Sequence, residues 1–270
     1  VGLDPRIVFQ VPADGDYIVR LFAFPSEPDG SIEFRGEENY VYRLTITDGP
    51  FVSHTIPSVV SQDDPGDVEV RGWNITPGLR VPVTPLAAAL LDECGEVENH
   101  GDQRKFNSDS IGFVNDPSFA GAARVRIVPF AVIDSLAAGP PDAPLSLQLP
   151  ASITGLIASR DQIDHFELAL AANQSLFVSV ESRGIELPVQ PVVTLVDPTG
   201  SQAAEFDDAE PGDAVISHTT AHEGVYSLTV RDQFRQFGDQ CAYRLTVRAA
   251  EPDFVLTAES DAVVVKPGEA

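Results

Sequence analysis

In several stretches of the chain, apolar and polar residues alternate with a period of two. Tyr226, Leu228 and Val230 are separated by Ser227 and Thr229, and Tyr243, Leu245 and Val247 by Arg244 and Thr246. Successive side chains of a strand point to opposite faces, so this alternation predicts half-buried antiparallel strands with the apolar set facing a core. Tyr42, Leu44 and Ile46 alternate with Arg43, Thr45 and Thr47 in the same way. Further strands are predicted at Ile7 to Val11, Val68 to Val70, Arg124 to Val132, His165 to Ala171, Leu176 to Glu181, Val192 to Val196 and Val215 to Thr219. Turn sequences such as Asp197-Pro198-Thr199-Gly200 separate them, and short strands at that spacing predict an all-β protein of tandem antiparallel β-sandwich modules. The helical signal is confined to Pro85 to Cys94, rich in Leu and Ala, with proline at a plausible first position.

The alternating segments also repeat. Gly15-Asp16-Tyr17 followed by Tyr42-Arg43-Leu44-Thr45-Ile46 returns as Gly224-Val225-Tyr226 followed by Tyr243-Arg244-Leu245-Thr246-Val247, with Asp4-x-x-Ile7 and Asp213-x-x-Ile216 ahead of each. Phe51 and Pro65-Gly66 likewise correspond to Phe254 and Pro267-Gly268, and Tyr42 and Tyr243 lie 201 residues apart. A repeat of that length makes the chain a window on a modular array that opens midway through one copy and closes as the next module begins. Gly139-Pro140-Pro141-Asp142-Ala143-Pro144 reads as a stiff linker, and Glu93 to Asp116 as a long exposed loop. The expected division is residues 1–50, the second half of a sandwich; 51–144, a middle β module; 145–250, a complete sandwich; and 251–270, the start of a further module.

In the complete copy the motifs follow a recognisable order. They are Ile153-Thr-Gly-Leu-Ile, Asp161-Gln-Ile-Asp164-His-Phe166, Leu176-Phe-Val-Ser-Val180, Val193-Thr-Leu-Val-Asp197-Pro-Thr-Gly200, Asp207-Asp208 and Gly224-Val-Tyr226-Ser-Leu-Thr-Val-Arg-Asp232. This series resembles the bacterial pre-peptidase C-terminal domain over Leu145 to Val247, and Val1 to Thr47 resembles the second half of the same domain. The middle module resembles the immunoglobulin-like domains interleaved with such domains in large secreted bacterial proteins. The resemblance implies a jelly-roll-like sandwich, export from a bacterial cell to the medium or cell surface, and a non-catalytic accessory role beside a peptidase or in a surface protein. Collagen-binding domains of clostridial collagenases share this architecture and bind calcium, but fold does not fix function, so collagen binding is not carried over.

The formal net charge is −24, and Lys105 and Lys266 are the only lysines among 17 basic residues. Such a surface repels phosphate backbones and anionic lipid heads, which excludes nucleic acid as a partner. It favours divalent cations and equally well keeps an extracellular protein dispersed. No apolar run reaches the roughly 18 residues a membrane helix requires. Cys94 and Cys241 form neither a disulfide framework nor a zinc cluster and are expected as two separate thiols.

No hydrolase constellation is present in the sequence. His222-Glu223 is followed by Gly224, not by the second histidine of a zinc helix, there is no Gly-x-Ser-x-Gly elbow, and His54, His100, His165, His218 and His222 are scattered. No catalytic residue is assigned and no hydrolytic activity is expected. Asp161, Asp164, Asp207 and Asp208, with Asp213 and Asp232, fall at strand ends. Converging on one end of a sandwich, the first four are candidate calcium ligands, since calcium takes six to eight oxygens. The competing reading is that aspartate favours turns, where its carboxylate bonds nearby amides. Phe234 and Phe237 stand amid polar residues and are candidate ligand-binding anchors, unless one folds under the loop to cap the core. The function expected is that of spacer, stabilising or attachment modules whose partners are neighbouring modules or an extracellular polymer. The alternatives are a glycan- or protein-binding module, or an accessory part of a secreted peptidase with its catalytic domain elsewhere.

Overall fold

The computed structural model of the chain describes residues 7–23, 34, 41–85, 109–114, 116–133, 136, 143–207 and 212–250. Its regular structure is nearly all strand, as the alternation predicts. The expected start of a further module at 251–270 lies outside the described residues, as do Cys94, Asp208 and His100.

The first sandwich is built from β1 (Phe51–Ile56), β2 (Val59–Ser61), β3 (Asp67–Trp73), β4 (Arg80–Pro82), β5 (Thr84–Pro85), β6 (Ser110–Val114) and β7 (Ala123–Val128). A sheet ordered β1-β3-β4 faces one ordered β2-β7-β6-β5, and between them pack Val52, Val68, Val70, Val114, Val125 and Ile127. Pro85 ends strand β5, where its missing N–H suits a sheet edge. Residues 86–94, the rest of the predicted helix, lie outside the described residues.

The second sandwich comprises β10 (Ala151–Leu156), β11 (Asp164–Leu170), β12 (Ser175–Glu181), β13 (Pro191–Val196), β14 (Gln202–Phe206), β15 (Ala214–Thr219), β16 (Gly224–Asp232) and β17 (Ala242–Ala249). Two short strands join it in parallel: β8 (Val132–Ile133) pairs with β10, and β9 (Leu145–Leu147) with β11. The stretch leading from one sandwich to the other therefore lends one strand to each sheet. The orders are β15-β12-β17-β10-β8 and β14-β13-β16-β11-β9.

The core between these sheets contains Phe166, Leu168, Val178, Leu195, Tyr226, Leu228, Tyr243 and Leu245, all buried. Tyr226, Leu228, Tyr243 and Leu245 thus take the face their alternation predicts. Gly155 lies opposite Tyr243 in the ladder, and a Cβ there would come within 2.1 Å of the Tyr243 ring. Only glycine lets that ring cross the neighbouring strand.

The N-terminal segment departs from its pattern. Residues 7–22 and 41–48 join no sheet, and Tyr17, Val19, Tyr42 and Leu44, counterparts of the core residues above, are exposed. A strand's apolar face is stabilised only by neighbouring strands and an opposing layer, so periodicity alone does not create a sheet.

Candidate functional site

Three of the four candidate calcium ligands are described, and they sit at the same end of the second sandwich. Asp164 pairs with Val230, Asp232 with Pro191 and Phe206 with Val193, which brings the start of β11 and the ends of β14 and β16 to one edge of the fold. Their carboxylates nevertheless go to different donors. Asp164 is buried and accepts from the Tyr243 hydroxyl at 2.5 Å and from Gln162 Nε2 at 2.7 Å. Asp161 faces Arg235 Nε at 3.3 Å, and Asp207 accepts from Gln233 Nε2 at 3.2 Å. Among the described residues, no group of three or more histidine, cysteine or carboxylate side chains gathers as a metal site.

Burial pushes the Asp164 carboxyl above its ordinary range, opposed by the hydrogen bonds from Gln162 and Tyr243. The same environment holds the Tyr243 hydroxyl well above its usual value, first through burial and then through the Asp164 charge. This polar pair is built inside the core, with the tyrosine kept as the donor.

Asp213 and Asp232 follow the turn reading. Asp213 accepts the backbone N–H groups of Ser182, Arg183 and Gly184 at 2.7 to 2.9 Å. Asp232 accepts those of Gln190, Phe234 and Gln236 at 2.8 to 2.9 Å. Asp232 thereby fixes the start of the loop between β16 and β17. On that loop Phe234 and Phe237 are 62% and 49% exposed, so neither caps the core. The Arg160 guanidinium lies 6.0 Å from the Phe237 ring centre, at the outer reach of a cation–π contact. A cleft of about 310 Å³ opens beside the loop, lined by Asp161, Gln162, Arg231, Asp232, Arg235 and Gln236 among others. Asp161 and Arg235, ion-paired to each other, both have left-handed backbones, with φ of 62° and 57°. Non-glycine residues adopt that conformation at a cost of about 1–3 kcal/mol, which the surrounding structure must offset.

A second polar cluster escaped the sequence reading. At the junction of the two sandwiches, Glu181 of β12 accepts from Arg126 of β7 and, at 3.1 Å, from Arg244 of β17. Arg244 also reaches Asp109 and donates to Ser152 Oγ at 3.2 Å. Beside them the Ser58 N–H donates to Thr154 Oγ1 at 2.9 Å. The alternation predicts Arg244 and Thr246 on the solvent face of β17, but both are buried because the first sandwich covers that face. No sequence signal marks this, since the covering residues are distant in the chain.

His54 of β1 is also buried, with Asp239 of the second sandwich close enough to act on it. Burial, then the Arg71 charge, lower its pKa from 6.5 to about 4. Its Nδ1 lies 2.8 Å from Ser53 Oγ, a spacing found between nucleophile and base. Here the serine also donates to the Arg71 carbonyl, both residues are buried, and so weak a base is neutral at physiological pH.

No protein family and no curated protein matches the chain. Solved structures similar to it include the pre-peptidase C-terminal domain of a collagenase from Bacillus anthracis, 19% identical, with a TM-score of 0.30, covering 38% of this chain and 93% of that one. The periplasmic inhibitor of g-type lysozyme from Aeromonas hydrophila is 14% identical, with a TM-score of 0.28, over 38% of this chain and 95% of that one. Its Salmonella Typhimurium counterpart is 14% identical, with a TM-score of 0.26, over 39% and 96%.

Proposed function

We propose that the chain is a non-catalytic accessory segment of a large secreted or cell-surface bacterial protein, in which two docked sandwiches hold a fixed spacing between other parts. The observation that carries this reading is the junction itself. A flexible connector would leave Glu181, Arg244 and Arg126 to water, whereas here they are largely desolvated together and β8, which follows the first sandwich, pairs into the second. Inter-domain motion is the default unless an interface restrains it, and interlocked buried charges are such a restraint. Calorimetry tests the reading: docked sandwiches unfold in one transition, and two independent transitions would remove its support. Turnover of casein or a glycan that is abolished by a single Asp or His substitution would overturn the non-catalytic part.

A second reading has its own observation. Phe234 and Phe237 stand exposed on a loop pinned by Asp232, next to a cleft with planar polar side chains, an arrangement suited to an extracellular glycan or protein. An array of glycans and matrix proteins probed with the chain, and with the Phe234→Ala/Phe237→Ala variant, tests it. Binding lost in the variant supports this role, and no binding, or unchanged binding, removes it.

A further inference from the structure

The cleft beside the β16–β17 loop is walled by two segments, each held by its own hydrogen bonds. On one side Gln162 Oε1 accepts the N–H groups of Ala158 and Ser159 at 2.8 and 3.1 Å, and its Nε2 donates to the Leu156 carbonyl and to Asp164. On the other side the Gln233 N–H donates to the Gln190 carbonyl at 2.8 Å and the Gly238 N–H to the Ile157 carbonyl at 2.9 Å. The loop that carries Phe234 and Phe237 is thus tied down at both ends, and the Asp161–Arg235 pair joins the two walls. A cleft fixed in this way loses little conformational freedom when a ligand enters. At about 310 Å³ it lies at the lower end of the roughly 300–1,000 Å³ of small-ligand sites, enough for a short run of sugar units.

The bonding inside the cleft decides the charge of what enters it. Both of its carboxylates are committed, Asp232 to three backbone N–H groups and Asp161 to Arg235, so a cationic partner finds no free counter-charge. Its two guanidinium groups, Arg231 and Arg235, balance those carboxylates. An anion would have to part Arg235 from Asp161 against the field of a chain with net charge −24. What the cleft still offers is donors. The Arg231 guanidinium stands 4.0 Å from Asp207, beyond hydrogen-bond distance, and the Arg235 side chain is 71% exposed and meets Asp161 through Nε alone. A guanidinium presents several N–H donors in one plane, and neighbouring hydroxyl oxygens of a sugar ring accept from such a fork. Phe234 and Phe237 flank Arg235 and Gln236 in the chain, and the electron-rich face of a phenyl ring attracts the C–H groups of a pyranose.

We propose that this cleft binds an uncharged polysaccharide, with Arg231, Arg235 and Gln236 donating to its hydroxyl oxygens and Phe234 and Phe237 stacking on its rings. The proposal rests on the second reading above, that the loop is a recognition surface, and adds the class of polymer and the groups that select it. Selection is by exclusion as much as by attraction: a carboxylate on the sugar meets an acidic chain whose cleft charges are already balanced, whereas a hydroxyl needs only a donor.

Surface plasmon resonance of the full chain over immobilised polysaccharides tests this, with xyloglucan and galactomannan as neutral probes and polygalacturonate and hyaluronan as anionic ones, all in EDTA so that no metal bridges acid to acid. The neutral polymers are expected to bind, with an affinity that changes little between about 0.05 and 0.5 M salt, and the anionic ones are not. Arg231→Met with Arg235→Asn should weaken binding by about 10-fold or more, asparagine being chosen because it tolerates the left-handed backbone at position 235. Phe234→Ala with Phe237→Ala should abolish it. Gln236→Ala alters only an exposed side chain and should weaken binding in the same direction, which keeps the test valid if the arginine pair proves to matter for folding. Preferential binding of an anionic glycan or of a matrix protein, lost in the phenylalanine variant, overturns the proposal and leaves the recognition loop standing. So does neutral binding that survives both the arginine and the Gln236 substitutions, or that falls steeply with salt. No binding to any of these probes removes the proposal and the second reading together.

Discussion

Arg126 and Glu181 meet across the junction of the two sandwiches, the arginine Nε donating to both carboxylate oxygens at 3.1 and 2.9 Å. Glu181 is also bonded to Arg244 from its own sandwich, so one carboxylate serves two guanidinium groups, and Asp109 supplies the second negative charge. Removing water from such a group is costly, and its net worth lies in geometry: each charge is tolerable only while the others are in place.

Glu181→Ala is therefore expected to destabilise the protein by about 3 kcal/mol, because it leaves buried Arg244 with Asp109 alone and half-buried Arg126 without its carboxylate. Denaturant unfolding measures the loss, and calorimetry should show the single transition splitting in two. Asp161→Asn removes a solvent-exposed pair with Arg235 while keeping a side chain that tolerates the left-handed backbone, and is expected to cost no more than about 1 kcal/mol.

His54 gives the junction a pH dependence of definite sign. The unfolded chain takes up a proton at this site as pH falls through about 6.5, whereas the folded chain resists it down to about 4. The stability the neutral ring contributes is complete above pH 6.5 and is lost between the two values, by about 3 kcal/mol. The Arg71 charge reinforces this, and Asp239 and Glu69 oppose it. Comparing urea unfolding of the wild type and His54→Asn at pH 7.5 and 4.5 isolates the contribution: the wild type should lose more stability on acidification, and equal losses would refute it.

Tyr243→Phe is expected to cost about 1–3 kcal/mol by leaving the buried Asp164 carboxylate short of a donor. Because the folded-state pKa of Asp164 is raised, this site gains stability as pH falls through that value and the carboxyl becomes neutral. The cost of the substitution should accordingly be larger at pH 7 than at pH 4, measured by unfolding the two proteins at both.

Calcium held by Asp161, Asp164, Asp207 and Asp208 would have to draw Asp164 away from Tyr243 and Asp161 away from Arg235. Of the three that are described, each is bonded to a protein donor, so melting curves that coincide in millimolar calcium and in EDTA would remove the cation. A rise of a few degrees in calcium, lost in Asp161→Asn, would instead support the cation.

The alternation of Tyr226 to Val230 and Tyr243 to Val247 was enough to place β16 and β17 and the side chains they bury, because one face of each strand meets the core in any sandwich. The same logic found β11, β12 and β13. It missed β1 and β10, whose polar residues Ser53, Thr55, Ser152 and Thr154 are buried. Strands covered on both faces carry no alternation to read. At the candidate site, the chain itself marked the carboxylates and the two phenylalanines, since turn chemistry is local. That Asp164 turns inward to Tyr243 across Gly155, that Arg244 lies beneath another sandwich, and that Tyr17 and Tyr42 remain uncovered were decided only by tertiary structure. Each depends on which strands are present to pair and on what covers a sheet's second face, and neither is a property of the segment's own residues.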